Sequence, residues 1–258
     1  MLYYEHKQPA LDEEMKRQIE VVQVGNKSYG HKRIALALKC NKKRIRRVMK
    51  KYGMKPYRTR SKKPRKKEDE KKEPAGYPNL IKYFCPIRPN VVWVSDFTYI
   101  KFKGKFYYLA TIMDLYTREI IGWNFSRYHN KELVLGALND ALKRVGAHPL
   151  YLHSDQGSEY DSEAYTGLAE SLQIRITMSK KASPWENGFQ ESFYSQFKVD
   201  LGEVNRFEQV GELIEAIHQA IYYYNHIRIH TSLGMSPVEF KKLYQKRVSD
   251  SVSEKLGT

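Results

Sequence analysis

Val91-Val92-Trp93-Val94-Ser95-Asp96-Phe97-Thr98-Tyr99-Ile100 is dense in β-branched and aromatic side chains and contains no Gly or Pro, so it reads as a β-strand. One residue in it stands out. A carboxylate inside an apolar strand, here Asp96, must be paired, neutralised or coordinated, or must face solvent. Downstream, Lys103-Gly104-Lys105 supplies a turn, and Phe106 to Met113 a second strand with Asp114 at its end. Ile120 to Phe125 gives a third strand, so three consecutive strands predict an antiparallel meander. Helical spacing follows over Leu133 to Val145, then a short buried strand, Leu150 to His153, runs into Ser154-Asp155-Gln156-Gly157. A helix near 162–172, a strand at Ile174 to Met178 and a helix over 187–201 continue the alternation. A long amphipathic helix near 208–224 leads into Tyr224-Asn225-His226-Ile227-Arg228-Ile229-His230. Three antiparallel strands followed by alternating helices and strands predict an α/β fold on one mixed sheet.

Upstream of that sheet the composition changes. The chain of 258 residues carries 45 Lys and Arg against 29 Asp and Glu, a net charge of +16. Residues 1–75 hold 24 basic and 9 acidic side chains, whereas residues 76–258 hold 21 and 20. A solvated surface would spread its excess along the chain; this one is concentrated in the first third, which points to a polyanionic partner. Nucleic acid is favoured over membrane, because no amphipathic anchor accompanies the charge and no apolar run reaches the ~18 residues of a membrane span. Leu11, Met15, Ile19 and Val22 define a first helix over 11–24, with Asp12-Glu13-Glu14 placed in its first turn. Residues 29–39 form a second helix. Asn41 is the expected N-cap of a third, which Gly53 stops. On that third helix Ile45, Val48, Met49 and Tyr52 share one face, and Lys42, Lys43, Arg44, Arg46, Arg47, Lys50 and Lys51 crowd the rest without an acidic residue in the segment. Three short helices with such a third member suit a helix-turn-helix-like module that lays it on DNA. Lys55 to Asn79, punctuated by Pro and heavily charged, reads as a basic linker.

Three carboxylates sit where a strand meets a loop or a helix begins: Asp96, Asp155 and Glu191. Singly, a satisfied core aspartate, a turn aspartate and a surface glutamate explain them. Together they fit the needs of phosphodiester chemistry, in which two divalent ions activate the attacking oxygen and stabilise the departing one. Mg²⁺ takes hard oxygen ligands and keeps several waters, so a few carboxylates plus substrate phosphate suffice.

The segments Trp93 to Ile100, His153-Ser154-Asp155-Gln156-Gly157-Ser158 and Glu186-Asn187-Gly188-Phe189-Gln190-Glu191-Ser192-Phe193 resemble the catalytic signatures of DDE transposases with a retroviral-integrase-like core. Asp155 and Glu191 are separated by 35 residues, the family's characteristic gap, and Lys198 stands seven positions after the glutamate, on the same helix face. Tyr224 to Pro237 resembles the carboxy-terminal signature of the second-frame (OrfB) proteins of the insertion-sequence-three family, and Tyr29-Gly30-His31-Lys32-Arg33-Ile34 resembles their helix-turn-helix segment. Relatives carry a Tyr-Asp-Asn-Ala stretch before the glutamate where this chain has Pro184-Trp185-Glu186-Asn187-Gly188. The resemblance implies an RNase H-like fold with Asp96, Asp155 and Glu191 as catalytic and metal-binding residues for two Mg²⁺ (Mn²⁺ substituting). It implies cleavage that frees a 3′-hydroxyl, then attack of that hydroxyl on a second phosphodiester. Lys198 is expected to contact DNA phosphate, and Asn187 to orient substrate. Expected partners are DNA, both element ends and target, further copies of the chain, and an upstream-frame (OrfA) protein or a fusion with it.

The resulting plan is a helical DNA-binding region at 1–54, a basic linker at 55–79, an RNase H-like core with C-terminal helices at 80–245 and a tail at 246–258. With two cysteines, Cys40 and Cys85, and no apolar leader at Met1 to His6, a cytoplasmic, nucleoid-associated protein is expected. His226 and His230 have zinc-like spacing but no Cys-x₂-Cys accompanies them, so packing or phosphate contact is the better reading. Asp114 is read as a turn residue and His153 as a core histidine. Two rivals stand beside the transposase: a non-catalytic DNA-binding regulator of its own element, and an RNase H-like structure-specific nuclease.

Overall fold

The computed structural model describes residues 8–58, 76–179 and 188–256. Most of the expected basic linker, and Asn187, lie outside the described residues. The amino-terminal part is a three-helix module: α1 (Gln8–Gly25), α2 (His31–Ala37) and α3 (Lys42–Lys51). It closes on Met15, Ile19, Tyr29, Ile34, Ile45 and Val48, all buried. Asn41 caps α3 as expected, its side chain accepting from the Lys43 amide at 2.8 Å, and Gly53 follows the helix in the left-handed region at φ +66°. Helix α2 is shorter than its spacing predicted, because Lys39 turns left-handed at φ +50° and Cys40 N–H bonds back to Ala35 O. The placement of Asp12 also differs. Helix α1 begins ahead of it, so Asp12 is not in the first turn; it is turned inward and 1% exposed.

The second part is built on a five-stranded sheet: β1 (Val92–Phe102), β2 (Lys105–Asp114), β3 (Ile120–Ser126), β4 (Tyr151–Ser154) and β5 (Arg175–Met178). Their order is β3-β2-β1-β4-β5. The expected meander is present, β1–β2–β3 antiparallel, and β4 and β5 extend it in parallel from β1. Helices α4 (Lys131–Val145) and α5 (Glu163–Ser171) cover one face, around Trp93, Ala110, Ile112 and Leu152. Helices α6 (Gly188–Leu201) and α7 (Val210–His226) cover the other, around Ile100, Phe102, Leu109 and Met113. The two-residue alternation of a strand divides β1 and β2 between these two cores. Gly122 lets α4 lie directly on β3: a Cβ there would come within 2.5 Å of Ala137 O and Ala141 N.

The carboxy-terminal signature residues act as fasteners. Asn225, at the end of α7, brackets Ile120 of β3, donating to its carbonyl at 2.8 Å and accepting from its amide at 2.9 Å. Arg228, 2% exposed, donates to Asp200 at 2.6 Å, to Ser28 at 2.8 Å and to Gln196. It thereby ties α6 to the turn between α1 and α2. The Arg33 Nε–H donated to Ile229 O (2.9 Å) and the Ile229 amide donated to the Tyr29 hydroxyl (2.7 Å) complete the seam between module and core. The residue range expected as a tail from 246 is helical instead. Helix α8 (Pro237–Leu256) runs through it without a break, started by a capping box in which Ser236 and Glu239 bond each other's amides.

Candidate active site

Asp96 lies on β1 on the same side of the pleat as Ile100 and Phe102, and so faces α6. The parallel pairing of β1 with β4 runs Val92 to Tyr151, Trp93 to Leu152 and Val94 to His153. Continued by two residues, this register sets Asp155 level with Asp96. Two chain segments 59 positions apart thus meet side by side, Asp96 within β1 and Asp155 just past the end of β4. Each carboxylate is oriented by a backbone amide: Phe97 N–H donates to Asp96 at 2.8 Å, and Gly157 N–H to Asp155 at 3.1 Å.

Glu191 is exposed one turn into α6, and its neighbours on the helix fix where it stands. Gln190, fully buried, donates to the Val94 carbonyl at 2.7 Å and accepts from the Thr111 hydroxyl at 3.2 Å. Tyr194 donates to the Asp96 carbonyl at 2.6 Å and lies 2.8 Å from the Thr111 hydroxyl. The residue before the glutamate and the residue one turn after it are therefore both bolted to β1 and β2. Sequence reading passed over both. Their signal is a buried-type glutamine and tyrosine flanking a charged residue on a helix that must cover a sheet.

The electrostatics are one-sided. The Asp96 carboxyl is pushed up to about 7, first by burial and then by the negative charge of Asp155, with Glu191 adding and the Phe97 amide opposing. Burial also raises Asp155; the Gly157 amide opposes, the Glu159 charge adds, and His129 pulls the other way. Glu159 is buried in the same turn, 3.1 Å from His129 Nε2, and His129 stacks on Tyr108 and packs at a tilt against Phe97. This fourth acid also went unnoticed in sequence; its place four residues after Asp155 in a tight Gly-containing turn is the signal. Among the described residues no three His, Cys, Asp or Glu side chains stand close enough together to hold a metal ion. Asp96 feels the charge of both other acids.

The remaining expected residues divide. Lys198 is half-buried on α6 with its ammonium 4.7 Å from the Tyr99 ring centre, and burial lowers its pKa. On α3, Lys42, Lys43, Arg44, Arg46 and Lys50 are exposed and form no ion pair among the described residues. Arg47 and Lys51 differ: both donate to Asp12 of α1, Arg47 through two bonds and Lys51 at 2.9 Å. The basic face of α3 does have an acidic neighbour, supplied by another helix. Asp114 takes four donors in its turn, from Asn90, Tyr116 and Thr117, and serves the turn as read. His153 is fully buried beside Thr177. No helix of the described residues is long and apolar enough to cross a membrane.

Comparison with known proteins agrees with this geometry. An integrase core domain family matches residues 86–184, and a second integrase core domain family matches residues 172–237. The catalytic core domain of HTLV-2 integrase in complex with magnesium (trimeric form) superposes with a TM-score of 0.51 at 19% identity, over 60% of this chain and 98% of that one. The fold is RNase H-like, and the class is that of integrase-core polynucleotidyl transferases. The transposase for insertion sequence element IS904 of Lactococcus lactis is 37% identical over 169 residues, 64% of this chain and 67% of the relative. The putative transposase InsK for insertion sequence element IS150 of Escherichia coli K12 is 30% identical over 243 residues, 90% of this chain and 84% of the relative. The chain belongs to the DDE transposases of the insertion-sequence-three family, and it is a transposase.

Proposed function

We propose that Asp96, Asp155 and Glu191 are the catalytic acids of this transposase and bind Mg²⁺, two ions with Mn²⁺ able to substitute. The observation that carries the reading is the state of Asp96: half-buried on β1, oriented by one backbone amide, with acids and no cation as its charged neighbours among the described residues. Hard oxygen donors side by side without a cationic partner among the described residues fit a divalent cation better than a structural role. The bound ions would supply activation of the attacking oxygen and stabilisation of the departing one. The chain's own residues supply the rest. Phe97 and Gly157 amides aim two carboxylates, while Gln190 and Tyr194 hold the Glu191 turn of α6 against β1. Glu191, exposed near the start of α6, would complete the ligand set when cations and DNA are bound.

The exposed cations of α3 would hold the duplex by its phosphates. Lys198 would meet a phosphate near the reacting end, and Asn187 would orient substrate beside Glu191. In the reaction, a water oxygen attacks the phosphorus at the element end and the 3′-oxygen departs as a hydroxyl. That hydroxyl then attacks a target phosphodiester, one P–O bond forming as another breaks, without a protein–DNA covalent bond. Paired ends call for more than one copy of the chain, with an upstream-frame protein or fusion as a further partner.

The test incubates the protein with Mg²⁺ and duplexes carrying its element's ends, beside Asp96→Asn. Joined products that disappear in the variant support the reading. Binding without nicking would instead indicate a DNA-binding regulator, and nicking of branched duplexes without joining a structure-specific nuclease.

A further inference from the structure

Between the helical module and the outer face of α6 lies a cleft of about 470 Å³. Gly30, His31, Lys32 and Arg58 line one wall, and Ser195, Gln196 and Val199 the other. A second hollow, of about 310 Å³, shares Gly30, His31 and Arg58 with it and reaches Arg46, Lys50 and Lys55. The two meet on the His31–Arg58 saddle, so the basic surface of α3 continues to the polar wall that Ser195 and Gln196 of α6 present. No carboxylate lines either hollow. Lys32, Arg46, Lys50, Lys55 and Arg58 are all exposed, and none forms an ion pair among the described residues. Burial and the charges of Arg46, Lys32, Lys42 and Arg58, all cationic, lower the pKa of His31. Arg47 and Lys51 differ, because both are paired with Asp12, so the unpaired charge of α3 lies away from α1 and includes the saddle side.

The walls are built. Gln196 is held by Arg228, which also bonds Ser28 at the foot of the opposite wall, so the spacing across the cleft is set by a buried guanidinium. Ser195 follows Glu191 by four residues, which puts it on the same helix face, about 6 Å further along the axis.

We propose that this cleft is a DNA-backbone site of its own: the phosphates of a duplex held on α3 cross the His31–Arg58 saddle and continue along Ser195 of α6, ending one helical turn from Glu191. The inference rests on the proposed catalytic reading for its direction, toward Glu191, but on the cleft alone for its ligand, a run of phosphodiesters. The signature segment Tyr29 to Ile34 then has two jobs. Tyr29 and Arg33 fasten module to core, while His31 and Lys32 face DNA.

The experiment measures binding of the full chain to a fluorescein-labelled duplex of about 30 base pairs by anisotropy, across a series of KCl concentrations. Each phosphate contact contributes about 0.9 to the slope of log affinity against log salt. Lys32→Ala with Arg58→Ala is expected to lower that slope by about 2 and the affinity at moderate salt by at least about ten-fold. Ser195→Trp fills the cleft from the other wall without changing charge, and is expected to lower affinity and slope together. Lys131→Ala with Lys143→Ala removes equal charge from α4, away from the cleft, and is expected to leave the slope near that of the parent. An unchanged slope in the first pair, or an equal loss in the α4 pair, overturns the proposal. Parent protein that joins DNA ends while the cleft variants bind normally would refute the cleft and leave the catalytic reading intact. Parent protein that binds with the expected slope but never cuts would do the reverse.

Discussion

Asp12 and Asp96 are the same side chain turned away from solvent in two regions of one molecule, and they are treated in opposite ways. In the helical module Asp12 receives Arg47, Lys51 and Gln8, and the Arg47 and then Lys51 bonds hold its carboxyl well below the usual carboxylate range. On β1 Asp96 receives one amide hydrogen and faces two more acids, and its carboxyl rises to about 7. A fold that can place two cations on one aspartate could have done so for the other. An acid's role is written in what surrounds it: Asp12 stabilises a bundle, whereas Asp96 has no cationic partner among the described residues and suits an added cation.

The comparison breaks most visibly in activity. Asp96→Asn or Glu191→Gln should lower end cleavage by at least about a thousand-fold, roughly 4 kcal/mol of transition-state stabilisation, in a single-turnover assay with Mg²⁺. DNA affinity should stay within about two-fold. Asp12→Asn should show the reverse pattern, weakened binding by a loosened module with cleavage of bound DNA retained.

Arg228→Ala sharpens the contrast by turning a compensated acid into an uncompensated one. Asp200 would lose its buried guanidinium, and the variant should be less stable by about 3–5 kcal/mol in urea unfolding. A change under about 1 kcal/mol would mean that the seam between module and core carries little of the stability.

The two aspartates should also carry opposite pH signs, read as melting temperature in EDTA. Asp96 has a folded pKa above its unfolded value of 3.8, so the folded state holds the proton more tightly. Its contribution is present below pH 4 and is lost as pH rises toward about 7. Asp96→Asn should therefore raise the melting temperature at pH 8, by up to about 4 kcal/mol in stability, and lose that advantage in acid. Asp12 has a depressed folded pKa, so its stabilisation is present above the unfolded value and is lost as pH falls through the carboxylate range. Asp12→Asn should lower the melting temperature at pH 7, with the deficit shrinking as the pH falls. Equal signs for the two variants would dissolve the distinction.

Much of this was readable along the chain because it is local. The β-rich run around Asp96, the turn after His153 and the helix after Gly188 are each set by adjacent residues, and they put the three acids within β1, just past β4 and in the first turn of α6. Contacts between distant residues were not readable in that way. Asp12 meets Arg47 and Lys51 at separations of 35 and 39 residues, so α3 looked wholly unpaired. Arg228 reaches Ser28 across 200 residues, which hid the fastening role of both signature segments. The continuation of α8 past residue 246 was missed because its charged, Ser-rich sequence shows little apolar stripe. Gln190, Tyr194 and Glu159 were missed because a polar residue's burial depends on which element covers it.

On the proposed reading, three acids from β1, the β4 turn and α6 share divalent cations. Crystals of the chain with a terminal duplex and Mn²⁺, measured at a wavelength where manganese scatters anomalously, test it directly. The account predicts anomalous peaks ligated by Asp96 together with Asp155 on one side and Glu191 on the other, with α6 drawn in at its start. Manganese bound elsewhere, or a Glu191 carboxylate that remains outside the first coordination sphere with DNA in place, would contradict it.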